Sequence, residues 1–128
     1  MKSFITTLVA SSLLSIGVAG EGAFVCPGPN WSPSNLCVDV DMTQNNGCWT
    51  IPWQTLGAIG PDNEVSIIGW ICSMWVEPGN CFNTVGNFNS GGIEAPGIGN
   101  LESWNDGQAG TWTGYWFTQA KTVQCIRT

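Results

Sequence analysis

An all-β fold, small and stapled by disulfides, is the class this sequence predicts, and three observations carry it. Six cysteines stand in a chain of only 128 residues that opens on an export-type segment. Runs rich in Val, Ile and Trp are cut by Gly, Pro and Asn into strand-sized pieces. No stretch shows the apolar spacing of an amphipathic helix.

The length leaves room for one domain. Residues 1–20 read as a secretory signal: Lys2 gives a short positive start, residues 4–18 are largely apolar, and Val18-Ala19-Gly20 is a small-residue cleavage site. An N-terminal arm and first strand are expected over 21–44, and a Greek-key β-sandwich over 45–128, arm and sandwich forming one domain. All six cysteines, Cys26, Cys37, Cys48, Cys72, Cys81 and Cys125, follow the signal. An even count in a short exported chain reads as a disulfide framework. Zinc is a poor alternative, because the chain has no His and no Cys-x2-Cys pair.

Without the signal, two basic residues (Lys121 and Arg127) face nine acidic ones, a net charge of −7. That balance argues against nucleic acid or anionic lipid, since phosphate binding needs clustered Lys and Arg. No later run is long and apolar enough to span a bilayer. The expected partner is an extracellular protein or a cell-wall carbohydrate, met by a monomer. No cofactor is expected apart from the calcium considered below.

Taken in order, CPGPNWSP from Cys26 is irregular, because its prolines forbid a helix. Asn30-Trp31-Ser32 inside it is a glycosylation acceptor, with Pro33 right behind. Residues 37–43 alternate, with Val38, Val40 and Met42 on one face and Asp39 and Asp41 on the other, which predicts a half-buried strand. Asn45-Asn46-Gly47 predicts a hairpin turn into a strand over 48–56, edge-placed or bulged at Pro52. Residues 57–63 read as a loop. The run 65–76 is apolar on both faces and β-branched or aromatic, so it reads as one long strand or two short ones bent at Gly69. Glu77-Pro78-Gly79-Asn80 is a turn. Short strands are expected over 81–88, 101–104, 110–118 and 121–126, with a Gly-rich loop over 89–100.

A weak internal repeat runs through this pattern. Asp62-Asn63 precedes one aromatic run and Asn105-Asp106-Gly107 precedes another, some forty residues later. Units of that size suit two four-stranded Greek keys in one sandwich. The order of Cys48, Asp62-Asn63, Ser66, Cys72, Trp75, Cys81, Pro96-Gly97, Asn100-Leu101, Asn105-Asp106 and Cys125 resembles small secreted cysteine-rich proteins of filamentous fungi with a βγ-crystallin-like fold. The likeness covers about the last eighty residues and implies two interlocked Greek keys and an extracellular role. That fold serves toxins, inhibitors and calcium modules alike, so it does not fix function. It implies a calcium loop at Asp62, Asn63, Glu64 and Ser66, whereas the partner stretch after Asn105-Asp106 has Ala109 where a hydroxyl is expected. Calcium needs six to eight oxygens. The pair supplies too few, and both stretches read better as turns.

Catalytic constellations are thin. Without His the common nucleophile–base pairs are missing, and paired cysteines leave no thiolate. Asp39 and Asp41 stand about 6.5 Å apart on one strand face, which does not flank a substrate. Tryptophan is the odd feature, with eight in the chain. Trp112 and Trp116 at a strand offset of four stand about 13 Å apart, a spacing that could stack two sugar rings; the bland alternative is a Trp-rich core. Trp31, in the Pro-rich arm, is the tryptophan expected to be most exposed.

The sequence thus supports a secreted, non-enzymatic binding protein, and the resemblance implies an effector-like or toxin-like one. A carbohydrate-binding module with Trp112, Trp116 and Trp31 as ligand residues is the first alternative, and a small secreted hydrolase the second. For the disulfides, Cys72–Cys81 is expected because residues 77–80 can fold the chain back within bridging distance. Cys26–Cys37 and Cys48–Cys125 complete the set.

Overall fold

A computed structural model of the chain describes residues 22–43, 47–61, 69–107 and 111–127. The expected signal, Asn45 and Asn46 lie outside the described residues. The elements in order are β1 (Gly22–Cys26), a 3-10 turn (Ser34–Leu36), β2 (Val38–Asp41), β3 (Cys48–Thr50), β4 (Ala58–Pro61), β5 (Trp70–Trp75), α1 (Tyr115–Gln119) and β6 (Thr122–Arg127). The fold is nearly all β. Two antiparallel three-stranded sheets run β2-β1-β4 and β3-β6-β5. Strand β1 meets β5 and β6 across the interior, and one core joins Val25, Leu56, Ile59, Met74, Leu101, Trp116 and Val123.

In the first sheet, β1 is central and pairs on both sides, so Ala23, Val25 and Cys26 lose all contact with solvent. Strand β2 keeps the expected alternation at Val40 and Met42, both buried, while Val38 at the strand's start is exposed. Strand β4 occupies ground expected to be a loop. Its four residues, AIGP, are all buried, and Gly60 leaves room for the Trp31 ring, which a Cβ there would approach to 3.0 Å.

In the second sheet, β6 is central. Trp70, Cys72 and Met74 of β5 alternate into the core, and Trp75 on the opposite face donates its indole N–H to Gln124 Oε1 of β6. The segment after β5 then folds back along its outer edge. Ser90 N–H donates to Met74 O, Met74 N–H donates to Ser90 Oγ, and Ile93 exchanges two backbone bonds with Cys72. That covers an edge that would otherwise offer free backbone groups to another chain.

Several expectations give way. Residues 81–88 and 101–104 form turns rather than strands, and the strand expected over 48–56 stops at Thr50. Strands β2 and β3 belong to different sheets, so no hairpin joins them through Gly47. The run expected as a strand over 110–118 holds α1 instead, so its likeness to the run 65–76, whose described part forms β5, does not extend to structure. A five-residue helix of Tyr, Trp, Phe, Thr and Gln is far below the length at which helices stand alone. Packing carries it: Trp116 is completely buried and Phe117 O accepts from Leu56 N–H.

Cys26 is bridged to Cys37, but the other two pairs exchange partners, Cys72–Cys125 and Cys48–Cys81 replacing Cys72–Cys81 and Cys48–Cys125. The register explains this. Cys72 and Cys125 are directly opposite on β5 and β6, and Cys72 spends its backbone bonds on Ile93 at the other edge. It therefore faces Cys125 at a non-hydrogen-bonded site, where antiparallel strands come closest. Cys81, past the turn after β5, reaches over β6 to Cys48 on β3, its Sγ lying 4.0 Å from Val123 O.

Candidate functional site

An aromatic cluster on and around α1 is the most distinctive surface feature of the described residues. Its foundation is Trp116, fully buried, with its indole N–H donated to Asp106 Oδ2 at 2.8 Å. Asp106 Oδ1 accepts from Thr111 Oγ1 at 2.7 Å, so one carboxylate ties the chain on both sides of residues 108–110 to the helix. Above Trp116 sits Tyr115, perpendicular to it at a centroid distance of 5.2 Å. Trp112 stands edge-to-face against Tyr115 at 4.6 Å, and Phe88 lies nearly parallel to it at 6.0 Å. Such pairs sit in the favourable range of aromatic geometries. Trp112 is 56 % exposed and Phe88 42 % exposed.

A tight turn aims Trp112 outward. Tyr115 N–H donates to Trp112 O, and Gly114 takes φ 78°, ψ 7°, the values of the third position of a type II turn. Glycine is required there twice over, because a Cβ would also stand 2.6 Å from Glu102 O. The turn is docked by the Gly114 N–H donating to Trp104 O. Burial pushes the Tyr115 phenol up from its ordinary pKa, and the charge of Asp106 adds to the shift.

Phe88 arrives from a loop that is itself rigidly built. Asn87, almost completely buried, accepts from Glu77 N–H and donates to both Asn80 O and Phe82 O. Asn80 in turn donates to Glu77 Oε1 and Thr84 Oγ1. At the loop's far side Phe82 is 68 % exposed and Val85 fully so. The expectation of a strand here hid this loop; the cluster of Asn residues around a turn was the available signal.

Trp112 and Trp116 do not form the two-ring face expected of them. They lie on a turn and a helix, not along a strand, and only Trp112 reaches solvent. Trp31 is half-buried rather than exposed, lying 5.9 Å from Phe24 and close over Gly60 and Gly99. It shares no ring contact with Trp112 or Trp116. Tyr115 and Phe88, which complete the cluster, were not singled out from the sequence. Asn30 is exposed, and the Ser32 hydroxyl of its glycosylation motif donates to Pro29 O.

Asp62, Asn63, Glu64 and Ser66 lie outside the described residues. The partner stretch at Asn105-Asp106 is described in part: Asn105 Oδ1 accepts from Gly107 N–H, and Asp106 is engaged as above. Among the described residues no group of three His, Cys, Asp or Glu is placed to hold a metal ion. Asp41 accepts from both the N–H and the hydroxyl of Thr43, and these bonds, the hydroxyl's first, hold its carboxyl below the usual aspartate range. Among the described residues no helix is long and apolar enough to cross a membrane. No family model, curated protein or solved structure matches the chain.

Proposed function

We propose that this is an exported, non-enzymatic binding protein, effector-like or toxin-like in the manner of the fungal cysteine-rich proteins it resembles, and that the Phe88–Trp112–Tyr115 face is its binding surface. One observation carries the reading: a largely exposed Trp112 is seated on a helix whose own tryptophan is buried and hydrogen-bonded. Holding a large ring out in water on a rigid base loses burial that the fold could otherwise have used, and exposed aromatic anchors of this kind dominate binding energies. Three disulfides support an oxidising, extracellular setting. A Greek-key arrangement of crystallin type is part of the same proposal; two antiparallel sheets over one core, with the chain changing sheet three times, support it.

Carbohydrate is the partner class that the exposed Trp112 favours over an extracellular protein. Hydrolysis is less well supported, because Asp41, Glu77 and Asp106 are all engaged in local hydrogen bonds that shape turns and the aromatic cluster. The test is retention of the oxidised protein on extracellular proteins and polysaccharides, with Trp112→Ala beside the wild type. Loss of retention in the variant, at an unchanged melting temperature, is expected. Full retention by the variant would remove the face from the account.

A further inference from the structure

Resting on that reading of the face, we propose that its ligand is a neutral glycan, with the apolar face of a sugar ring laid on Trp112 and its hydroxyls meeting the indole N–H of Trp112 and the phenol of Tyr115. Three observations narrow the chemistry.

The first is the geometry of the rings. Trp112 and Tyr115 stand at 79° with centroids 4.6 Å apart, so the edge of one ring already occupies the face of the other. An aromatic cage would enclose a cation between ring faces, each within about 6 Å of it. That corner is filled by the edge-to-face contact, so the pair offers no cage for an ammonium group, whereas Trp112, more than half exposed, still offers ring surface for stacking.

The second is charge. The protein carries a formal net charge of −6. Both described cations are engaged: Lys121 Nζ donates to Thr118 O, and Arg127 lies over the Trp70 ring at 5.4 Å. Side chains flanking the platform in sequence are Glu102, Asn105, Asp106, Thr111 and Thr113, none of them basic. A nucleotide stacking its base there would bring its phosphates against an acidic protein. Sulfated or uronic sugars meet the same repulsion, and a neutral sugar does not.

The third is the polar inventory. Among the described residues, Trp112 Nε1–H and the Tyr115 hydroxyl have no hydrogen-bond partner. A few polar groups at the margin of an aromatic surface are what orient a small ligand. Hydroxyl-rich rings supply partners for both.

The experiment is a titration of the oxidised protein, followed by tryptophan emission and by calorimetry, with cello-, laminari- and chito-oligosaccharides as neutral probes and heparin and polygalacturonate as charged ones. It is run on wild type, Trp112→Ala and Phe82→Ser. At least one neutral series should bind, with affinity falling at least about tenfold in Trp112→Ala and unchanged in Phe82→Ser, and the charged polymers should bind more weakly. No binding by any neutral series, or binding that Trp112→Ala leaves intact, overturns the proposal. If the sugars fail while an extracellular protein is still retained by the wild type and by Phe82→Ser but not by Trp112→Ala, the glycan assignment falls and the binding face stands. If Trp112→Ala changes no retention of any kind, both fall.

Discussion

Removing Cys72 and Cys125 together, each replaced by Ala, should cost more stability than removing Cys26 and Cys37. The two bridges close chain segments of very different length, with sequence separations of 53 and 11 residues. Cross-linking restricts the unfolded chain by an entropy that grows with the logarithm of the loop, which gives about 4 kcal/mol for the long loop and about 3 kcal/mol for the short one. The difference, (3/2)RT times the logarithm of the length ratio, is about 1.4 kcal/mol. Alanine adds little further loss, since Cys26, Cys72 and Cys125 are buried and Cys37 is half-buried, and no polar group is left behind. With a urea slope of about 1–3 kcal/mol per molar, the midpoint of the Cys72/Cys125 variant should fall below that of the Cys26/Cys37 variant by about 0.5–1.4 M. A loss of about 4 kcal/mol removes most of the stability of a domain at the lower end of the ordinary range of about 5–15 kcal/mol. Equilibrium urea unfolding by far-UV circular dichroism measures both. Equal midpoints, or the reverse order, would refute the loop argument, and a peptide map joining Cys72 to Cys81 would refute the pairing beneath it.

The remaining expectations concern the aromatic cluster and one close contact. Tyr115 is the only tyrosine, so tyrosinate absorbance reports it alone; its midpoint should lie above the ordinary value near 10, and Asp106→Asn should bring back the part that charge contributes. Because the folded pKa is raised, the associated stability is complete below the ordinary tyrosine value and is lost as pH climbs through the folded one, so melting temperature should decline in that alkaline window. Asp106→Ala leaves the Trp116 indole N–H buried without its acceptor and should cost about 1–3 kcal/mol, with Asp106→Asn recovering part of it; thermal unfolding decides. Gly57→Ala should destabilise by more than the 1–3 kcal/mol typical of overpacking, because a Cβ there would stand 1.9 Å from the backbone carbon of Gly28; a soluble, normally melting variant would contradict the packing of those two segments.

Much of the β architecture was legible because it is written locally. Alternation at Val40 and Met42 places β2, and the Trp70–Trp75 and Thr122–Arg127 runs are β-branched or aromatic enough to find β5 and β6. What was lost is written at long range. Strand β1 is five residues beside a run of prolines, and its centrality comes from neighbours at residues 38–41 and 58–61 that no local window contains. Strand β4 looks like a loop because it is Ala-Ile-Gly-Pro, buried throughout and shaped to receive Trp31. The α1 segment has the composition of a strand, and only the burial of Trp116 and its bond to Asp106 make it helical. Cys26–Cys37 was legible, but the other two pairings were missed for the same reason: a turn after Trp75 brings Cys81 back past Cys72 and onto Cys48.

The candidate face shows the same division. Trp112 could be named from composition, but its separation from Trp116 into one exposed and one buried ring depends on the turn at Gly114. Tyr115 and Phe88 join it from segments 27 residues apart in sequence, and an Asn-centred loop delivers the second of them.

The most direct test of the face is oxidative footprinting of the intact protein, read residue by residue in its tryptophan peptides, first free and then saturated with whichever oligosaccharide binds best. Trp112 should oxidise readily in the free protein while Trp116 resists, and the ligand should protect Trp112 selectively. Equal oxidation of Trp112 and Trp116, or protection that falls on Trp31 or Trp49 instead, would contradict the account.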